Sequence, residues 1–225
     1  GADDDTIWGF MVNSSVYGGD GNDRISNLRD AYFGGSLLFD TAGSSVYLDG
    51  GSGNDSITCS YFYDSETYVS ISGGAGEDTI VMLGGYNTIN GGSGNDVIMA
   101  NTGYSFVNGN DGSDTIYVSG SNSKYNSNNT ISGGTGDDKI SLDSSAKNNV
   151  IFYNSGDGND TVYGIKSGDT LQIAGTKYST AKSGSDLIFT VGSGKISVQG
   201  GANVAFTIIG TLEGGGGGGG GNEVI

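Results

Sequence analysis

One eight-residue phrase recurs along the 225-residue chain: two glycines, a variable residue, glycine, a polar residue, aspartate, any residue, then isoleucine or valine. It reads GGDGNDRI at Gly18–Ile25, GGSGNDSI at Gly50–Ile57, GGAGEDTI at Gly73–Ile80 and GGSGNDVI at Gly91–Ile98. GNDGSDTI from Gly109 and GGTGDDKI from Gly133 follow, and looser copies end at Asp5 and Asp160. Such a phrase constrains the fold more than any propensity does. Each copy must be one small unit that buries its branched residue only against its neighbours, which is how a solenoid is built.

Spacing supplies the architecture. Ile80, Ile89, Ile98, Val107 and Ile116 lie nine apart without a break, as do Ile7, Val16 and Ile25, Leu48 and Ile57, and Ile71 and Ile80. Only every second rung follows an aspartate loop; the others end sequences such as NSSVYGG, YNTINGG, YSFVNGN and NNTISGG. Two rungs therefore make one 18-residue coil, as from Ile80 to Ile98. One edge turns through GGxGxD and the other through a degenerate polar or aromatic loop. Strands of about three residues, stacked roughly 4.8 Å apart, give two parallel sheets whose inner faces meet in a column of Ile and Val. The absence of proline suits strands that all donate to a neighbour.

The pattern resembles the nonapeptide repeat of the RTX family, and the resemblance covers roughly residues 1 to 163. It implies an all-β fold: a right-handed parallel β-roll with calcium-binding turns on one edge, capped C-terminally by short antiparallel hairpins. It also implies that Ca²⁺ lies between stacked loops, held by loop carbonyls and by the sixth-position aspartates Asp5, Asp23, Asp55, Asp78, Asp96, Asp114, Asp138 and Asp160. The remaining loop positions implied for the metal are Gly18, Gly19, Asp20 and Gly21, then Gly50, Gly51, Ser52 and Gly53, then Gly73, Gly74, Ala75 and Gly76. Gly91, Gly92, Ser93 and Gly94 follow, with Gly109, Asn110, Asp111 and Gly112, Gly133, Gly134, Thr135 and Gly136, and finally Gly156, Asp157 and Gly158. Departures from the phrase are Asp3 for a glycine, Asn110 for the second glycine and Ser155 for the first.

Composition agrees. Apolar residues make up only 34% and glycines number 45, which without periodicity would read as disorder. The formal charge is −16, and 21 of the 25 acidic residues are Asp, the short carboxylate that favours turns and ligates calcium. Eight loops leave seven gaps, and seven Ca²⁺ would bring the charge to −2. Without ions, neighbouring aspartates repel across about 5 Å, so the apo chain is expected to be expanded and to fold on meeting calcium.

Other chemistries find little purchase. Nine basic residues form no cluster, which argues against nucleic acid and anionic membrane. No segment reads as a membrane span. The chain has no histidine, so it offers no Ser-His-Asp triad, Cys-His pair or histidine-bound zinc, and it reads as a non-enzyme. Cys59, the single cysteine, follows a core strand and reads as a structural or idle thiol. EF-hands fail for want of flanking helices, and GxGxxG nucleotide binding fails because GGSGND precedes a strand. The outward residues beside the core, running Thr6, Arg24, Ser56, Thr79, Val97, Thr115, Lys139 and Thr161, are too mixed for an ice-binding array.

Insertions at 27–45, 60–69, 119–128 and 143–149 bulge from the second edge. Most tyrosines, with Phe10, Phe33, Phe39 and Phe62, fall on or beside that edge, either closing it by packing or forming a partner surface. From about Gly164 the period changes to alternation between turn signals, predicting antiparallel hairpins. The expected organisation is a calcium-binding roll over 1–163, a β cap over 164–211 and a glycine-rich tail over 212–225. That tail holds the linker-like run Gly214–Gly221, and Glu223-Val224-Ile225 partly matches the ending of proteins secreted in one step.

The chain begins inside a repeat without a recognisable cap, which predicts that a larger protein or another copy covers that end. Two functional readings follow. The first is a secreted bacterial structural module, an adhesin, surface-layer or matrix subunit, that self-associates head-to-tail or laterally and meets a cell-surface or glycan ligand. The alternative is the C-terminal folding and secretion module of a larger toxin, protease or lipase.

Overall fold

The computed structural model describes residues 1–9, 13–28, 45–60, 68–119, 128–212 and 222–224. In chain order the strands are β1 (Thr6–Gly9), β2 (Ser14–Asp20), β3 (Arg24–Leu28), β4 (Ser45–Ser52), β5 (Ser56–Ser60), β6 (Tyr68–Ala75), β7 (Thr79–Leu83), β8 (Asn87–Ser93), β9 (Val97–Asn101) and β10 (Phe106–Asp111). They continue as β11 (Thr115–Val118), β12 (Thr130–Thr135), β13 (Lys139–Leu142), β14 (Val150–Asn154), β15 (Asn159–Tyr163), β16 (Thr170–Ser183), β17 (Asp186–Val191), β18 (Gly194–Val198), β19 (Thr207–Leu212) and β20 (Asn222–Val224).

The strands sort into two parallel ladders. Odd-numbered strands stack from β1 to β15 and then onto β18; even-numbered strands stack from β2 to β16 and then onto β19. The register is the nine-residue ladder read from the sequence. One column runs Ile7, Ile25, Ile57, Ile80, Ile98, Ile116, Ile140, Val162 and Val198. The other runs Val16, Leu48, Ile71, Ile89, Val107, Ile131, Ile151, Leu171 and Ile208. From Ile25 and Leu48 onward these residues are wholly buried and form a single apolar cluster. Each full burial contributes about 1.5–3 kcal/mol, and nearly all of it depends on the coils above and below.

Cys59 joins a second inward column with Met82, Ala100, Val118 and Leu142. Burial pushes its thiol up to about 12, so it is inert packing.

The antiparallel hairpins expected after residue 164 are present as β16–β17 and β17–β18. Both parallel ladders also run on into this region, through β16, β18 and β19, so the hairpins join the two ladders at their last coil. The insertion at 143–149 is a turn pinned by Asp143, whose carboxylate accepts the Ser145 N–H at 2.7 Å. The greater part of the other three insertions, the four phenylalanines and Gly214–Gly221 lie outside the described residues.

The second edge is closed by a buried polar ladder. The N–H of Asn87 donates to Ser105 Oγ (3.0 Å), that of Ser105 to Asn129 Oδ1 (3.1 Å), that of Asn129 to Asn149 Oδ1 (3.2 Å) and that of Asn149 to Asp169 Oδ1 (2.8 Å). The amide groups supply donors of their own, Asn129 Nδ2 reaching the Thr102 carbonyl at 3.1 Å. Among the described residues, Tyr68, Tyr86 and Tyr104 do not close this edge, since all three stand exposed on it.

Candidate metal centre

Each aspartate loop must turn within a few residues while lying almost in contact with the coil before it. Gly51 shows why glycine is required: its φ is 108°, and a Cβ there would overlap the carbonyl oxygen of Gly19. Asn110 takes the equivalent place at φ 78° and keeps register with Gly92 and Gly134. Asparagine tolerates the left-handed region, so this departure from the phrase leaves the loop intact.

The sixth-position aspartates form one continuous ladder. The N–H of Asp5 donates to Asp23 Oδ1 at 2.7 Å, Asp23 to Asp55 at 2.6 Å, Asp55 to Asp78 at 2.7 Å and Asp78 to Asp96 at 2.8 Å. Asp96 donates to Asp114 at 2.7 Å, Asp114 to Asp138 at 2.8 Å and Asp138 to Asp160 at 3.1 Å. That uses one carboxylate oxygen. The other, Oδ2, is buried without a hydrogen-bond partner in Asp23, Asp55, Asp78, Asp96, Asp114 and Asp138.

Five of these six orphaned oxygens have a carbonyl oxygen of the next coil as neighbour. A Cβ on Gly18 would overlap both Asp23 Oδ2 and the Gly50 carbonyl oxygen, so the two converge on one place. The same pairing recurs at Gly50 with Asp55 and Gly73, at Gly73 with Asp78 and Gly91, at Gly91 with Asp96 and Gly109, and at Gly109 with Asp114 and Gly133. Five successive gaps thus bring a carboxylate oxygen against a carbonyl oxygen of the next coil, with no donor between them.

The electrostatic consequence is severe. Burial, the largest cause, pushes Asp78 and Asp114 up to about 6, Asp96 and Asp138 up to about 7 and Asp160 up to about 8. The ladder N–H groups oppose the shift and neighbouring carboxylates add to it. Two such charges roughly 4.8 Å apart repel by about 3–4 kcal/mol at an effective dielectric constant near 20. Ionised and alone, the row opposes its own fold.

A hard cation resolves this. The donor set is oxygen only, carboxylate and backbone carbonyl, which suits calcium rather than zinc or copper. Among the described residues no three acidic, histidine or cysteine side chains gather on one point, so carbonyls must complete the shell. The residues that would hold the ion are the sixth-position aspartates together with the first-glycine carbonyls of the following loop.

The other loop positions implied for the metal have definite places. The third-position residues Asp20, Ser52, Ala75, Ser93, Asp111 and Thr135 turn their side chains to solvent. The carbonyls of Ser52, Ala75, Ser93, Asp111 and Thr135 accept the N–H of the fourth glycine one coil earlier. In the last loop Ser155 is not in the first-glycine column. Ile151 and Asp160 are two residues further apart than Ile131 and Asp138, and Tyr153 stands opposite Gly133 instead. The Tyr153 hydroxyl donates to the Gly158 carbonyl at 2.6 Å, and Asp157 folds back to accept the Asn154 N–H at 2.6 Å. Asp157 and Gly158 also bond to neighbouring coils, the Asp157 carbonyl accepting the Gly136 N–H at 2.6 Å and the Gly158 carbonyl the Lys195 N–H at 2.9 Å.

One set of residues escaped the sequence reading. The fifth-position side chains form an outer ladder in the opposite sense: Asn22 N–H donates to Asp4 Oδ1 (2.8 Å), Asn54 N–H to Asn22 Oδ1 (2.7 Å) and Glu77 N–H to Asn54 Oδ1 (2.8 Å). Ser113 N–H donates to Asn95 Oδ1 and Asn159 N–H to Asp137 Oδ1, both at 2.8 Å. The preference for Asn, Asp, Glu and Ser at that position was the available signal.

The family model for the RTX calcium-binding nonapeptide repeat (4 copies) matches residues 13–31, 45–58, 68–89, 90–123, 125–146 and 153–171, more than half of the chain. Among solved structures the chain is similar to an extracellular lipase from Serratia marcescens, at 16% identity and a TM-score of 0.32, over 68% of this chain and 37% of that one. The chain therefore spans well under half of that protein's length. A comparison with curated proteins finds no match.

Proposed function

Since the chain belongs to the family of RTX calcium-binding nonapeptide-repeat proteins, we propose that it is a calcium-folded extracellular structural module. Its work is mechanical: an adhesin, surface-layer or matrix segment whose coils stack into a rod, and which associates with further copies. The observation that carries this reading is the row of six buried Asp Oδ2 atoms, five of them set against a carbonyl of the next coil. A divalent ion at each such place contributes two positive charges where the protein offers none. The ion count, up to about seven by loop number, is five by the recurrence of the full arrangement.

The module has no catalysis of its own. Among the described residues the aspartates pushed to about 6 or above all belong to the one ladder, where the orphaned oxygens of Asp78, Asp96, Asp114 and Asp138 have a structural use. Secretion accords with a fold held by calcium, which is scarce inside cells and abundant outside, and among the described residues no helix is long and apolar enough to cross a membrane. Circular dichroism before and after EGTA tests calcium-coupled folding, and an unchanged β spectrum would refute it. Electron microscopy at millimolar calcium tests the structural role. Filaments or sheets support it, whereas isolated rods favour the folding module of a longer chain.

A further inference from the structure

On the second edge, six coils turn through the left-handed region at one equivalent backbone position, while Ser45 and Tyr68 hold that place in two others without doing so. Asn13, Asn128 and Asn148 occupy it with φ of 49°, 65° and 53°, and Gly168 with φ of 95°. Tyr86 and Tyr104 occupy it too, at 60° and 55°. Asparagine and glycine adopt this conformation at small cost, while a bulky aromatic does not. Two tyrosines thus stand where the fold itself would choose asparagine. Core burial does not explain them either, since Tyr86 is 39% and Tyr104 49% exposed.

The rings are ordered among themselves. Tyr68, one coil earlier, meets Tyr86 edge to face at 6.2 Å, and Tyr86 stacks on Tyr104 at 5.2 Å with planes 9° apart. Beside this row runs a groove of about 340 Å³ lined in part by Tyr47, Tyr68 and Tyr86. Ser15, Ser70 and Thr88 also line it, and with Tyr47 they form one outward column, one residue from each successive coil. Among the described residues that line it, none is Asp, Glu, Lys or Arg.

That chemistry selects an occupant. An anionic ligand would meet a chain of charge −16 with no cation in the groove. A cationic one would find no carboxylate lining it, and an apolar peptide would meet a hydroxyl on every coil. What fits is an uncharged chain with apolar C–H groups to lie along the tyrosine row, hydroxyls for Ser and Thr, and a repeat close to the strand spacing of roughly 4.8 Å. We infer that this groove binds a neutral polysaccharide, with one sugar ring beside each coil. Mutually packed tyrosines are held before the ligand arrives, so little ordering entropy is lost on binding. The inference goes beyond the scaffold role and requires only that the coils be folded.

The test is affinity electrophoresis of the calcium-saturated chain in native gels containing laminarin, mannan, dextran or, as an acidic control, hyaluronan. At least one neutral glycan retards the chain, and hyaluronan does not. The double variant Tyr86→Asn/Tyr104→Asn binds about tenfold more weakly or worse, with an unchanged calcium-dependent spectrum and a melting temperature equal to or above the parent's. Failure of all three neutral glycans overturns the inference, as does equal retardation of the double variant. Sedimentation showing that the parent self-associates through these tyrosines and the variant does not would also overturn it, by assigning the surface to a second copy. In each case the scaffold reading stands as long as EGTA still unfolds the chain.

Discussion

The two edges of the roll solve one problem with different chemistry. Each turn of the metal edge, and each turn of the second edge from Asn87 onward, leaves a backbone N–H that a side-chain oxygen from the next coil accepts. On the second edge that oxygen belongs to Ser105, Asn129, Asn149 or Asp169; on the metal edge it is always an aspartate's. An asparagine brings its own NH₂, as when Asn129 reaches the Thr102 carbonyl, so the ladder can close on itself. A carboxylate brings a second acceptor and no donor. From Asn129 to Asp169 the second edge closes with protein groups alone, while the metal edge, as protein alone, lacks a positive charge beside each orphaned carboxylate oxygen. The difference teaches that calcium completes a ladder which asparagine could close without it.

The strongest way to break that contrast is to exchange the chemistries. Asn129→Asp puts a buried carboxylate against the Thr102 carbonyl and the Asn149 amide oxygen, both acceptors. It should cost about 3–5 kcal/mol of stability in saturating calcium, read from denaturant unfolding. Gly92→Ala comes next, because φ is 128° and the new Cβ would overlap the Gly74 carbonyl oxygen. A loss of about 2–4 kcal/mol is expected, whereas Asn128→Ala on the other edge, where a Cβ is already accommodated, should lose only about 1 kcal/mol.

Asp96→Asn should split by condition. In calcium it weakens binding, by isothermal titration; in EGTA it stabilises the residual fold by about 1–2 kcal/mol, because it removes a buried charge. If the variant were less stable in both, the orphaned oxygen would not be the source of the apo chain's instability.

Acidification sharpens the same point. The folded-state pKa values, about 6 for Asp78 and Asp114 and about 7 for Asp96 and Asp138, lie above the ordinary 3.8. The folded chain therefore binds more protons than the unfolded one between roughly pH 4 and 7. Stability without calcium falls as pH rises through that window and returns as pH is lowered. The EGTA-treated chain should recover β signal near pH 4–5 in circular dichroism, and a monotonic loss of structure with acid would contradict this. The smallest effect belongs to the outer ladder: Asn54→Ala, which strips the acceptor from Glu77 N–H, should cost under about 1 kcal/mol by thermal melting.

The metal edge was legible in the sequence because glycine is irreplaceable where a Cβ would strike a carbonyl, so the phrase hardly varies. The Ile and Val columns were legible for the same reason, since fixed loop lengths fix their spacing. The second edge was not. Its inward column changes from Val46 and Val69 to Asn87, Ser105, Asn129, Asn149 and Asp169, and no single phrase announces a ladder whose members need only offer an oxygen. Tyr153 was missed because counting back from Asp160 put Ser155 in the glycine's place, whereas the strand register leaves two extra residues in the loop. The outer ladder runs through a position where several polar residues work equally well, so its pattern is only a preference.

The most direct test of a cation-completed ladder is anomalous diffraction from crystals grown in calcium, collected at a wavelength where calcium scatters anomalously. Peaks should appear in a row along the metal edge, one between each pair of successive loops from Gly18 to Gly133, against the Oδ2 atoms of Asp23, Asp55, Asp78, Asp96 and Asp114. A row of ordinary water density there, with those aspartates hydrogen-bonded to it, would contradict the account.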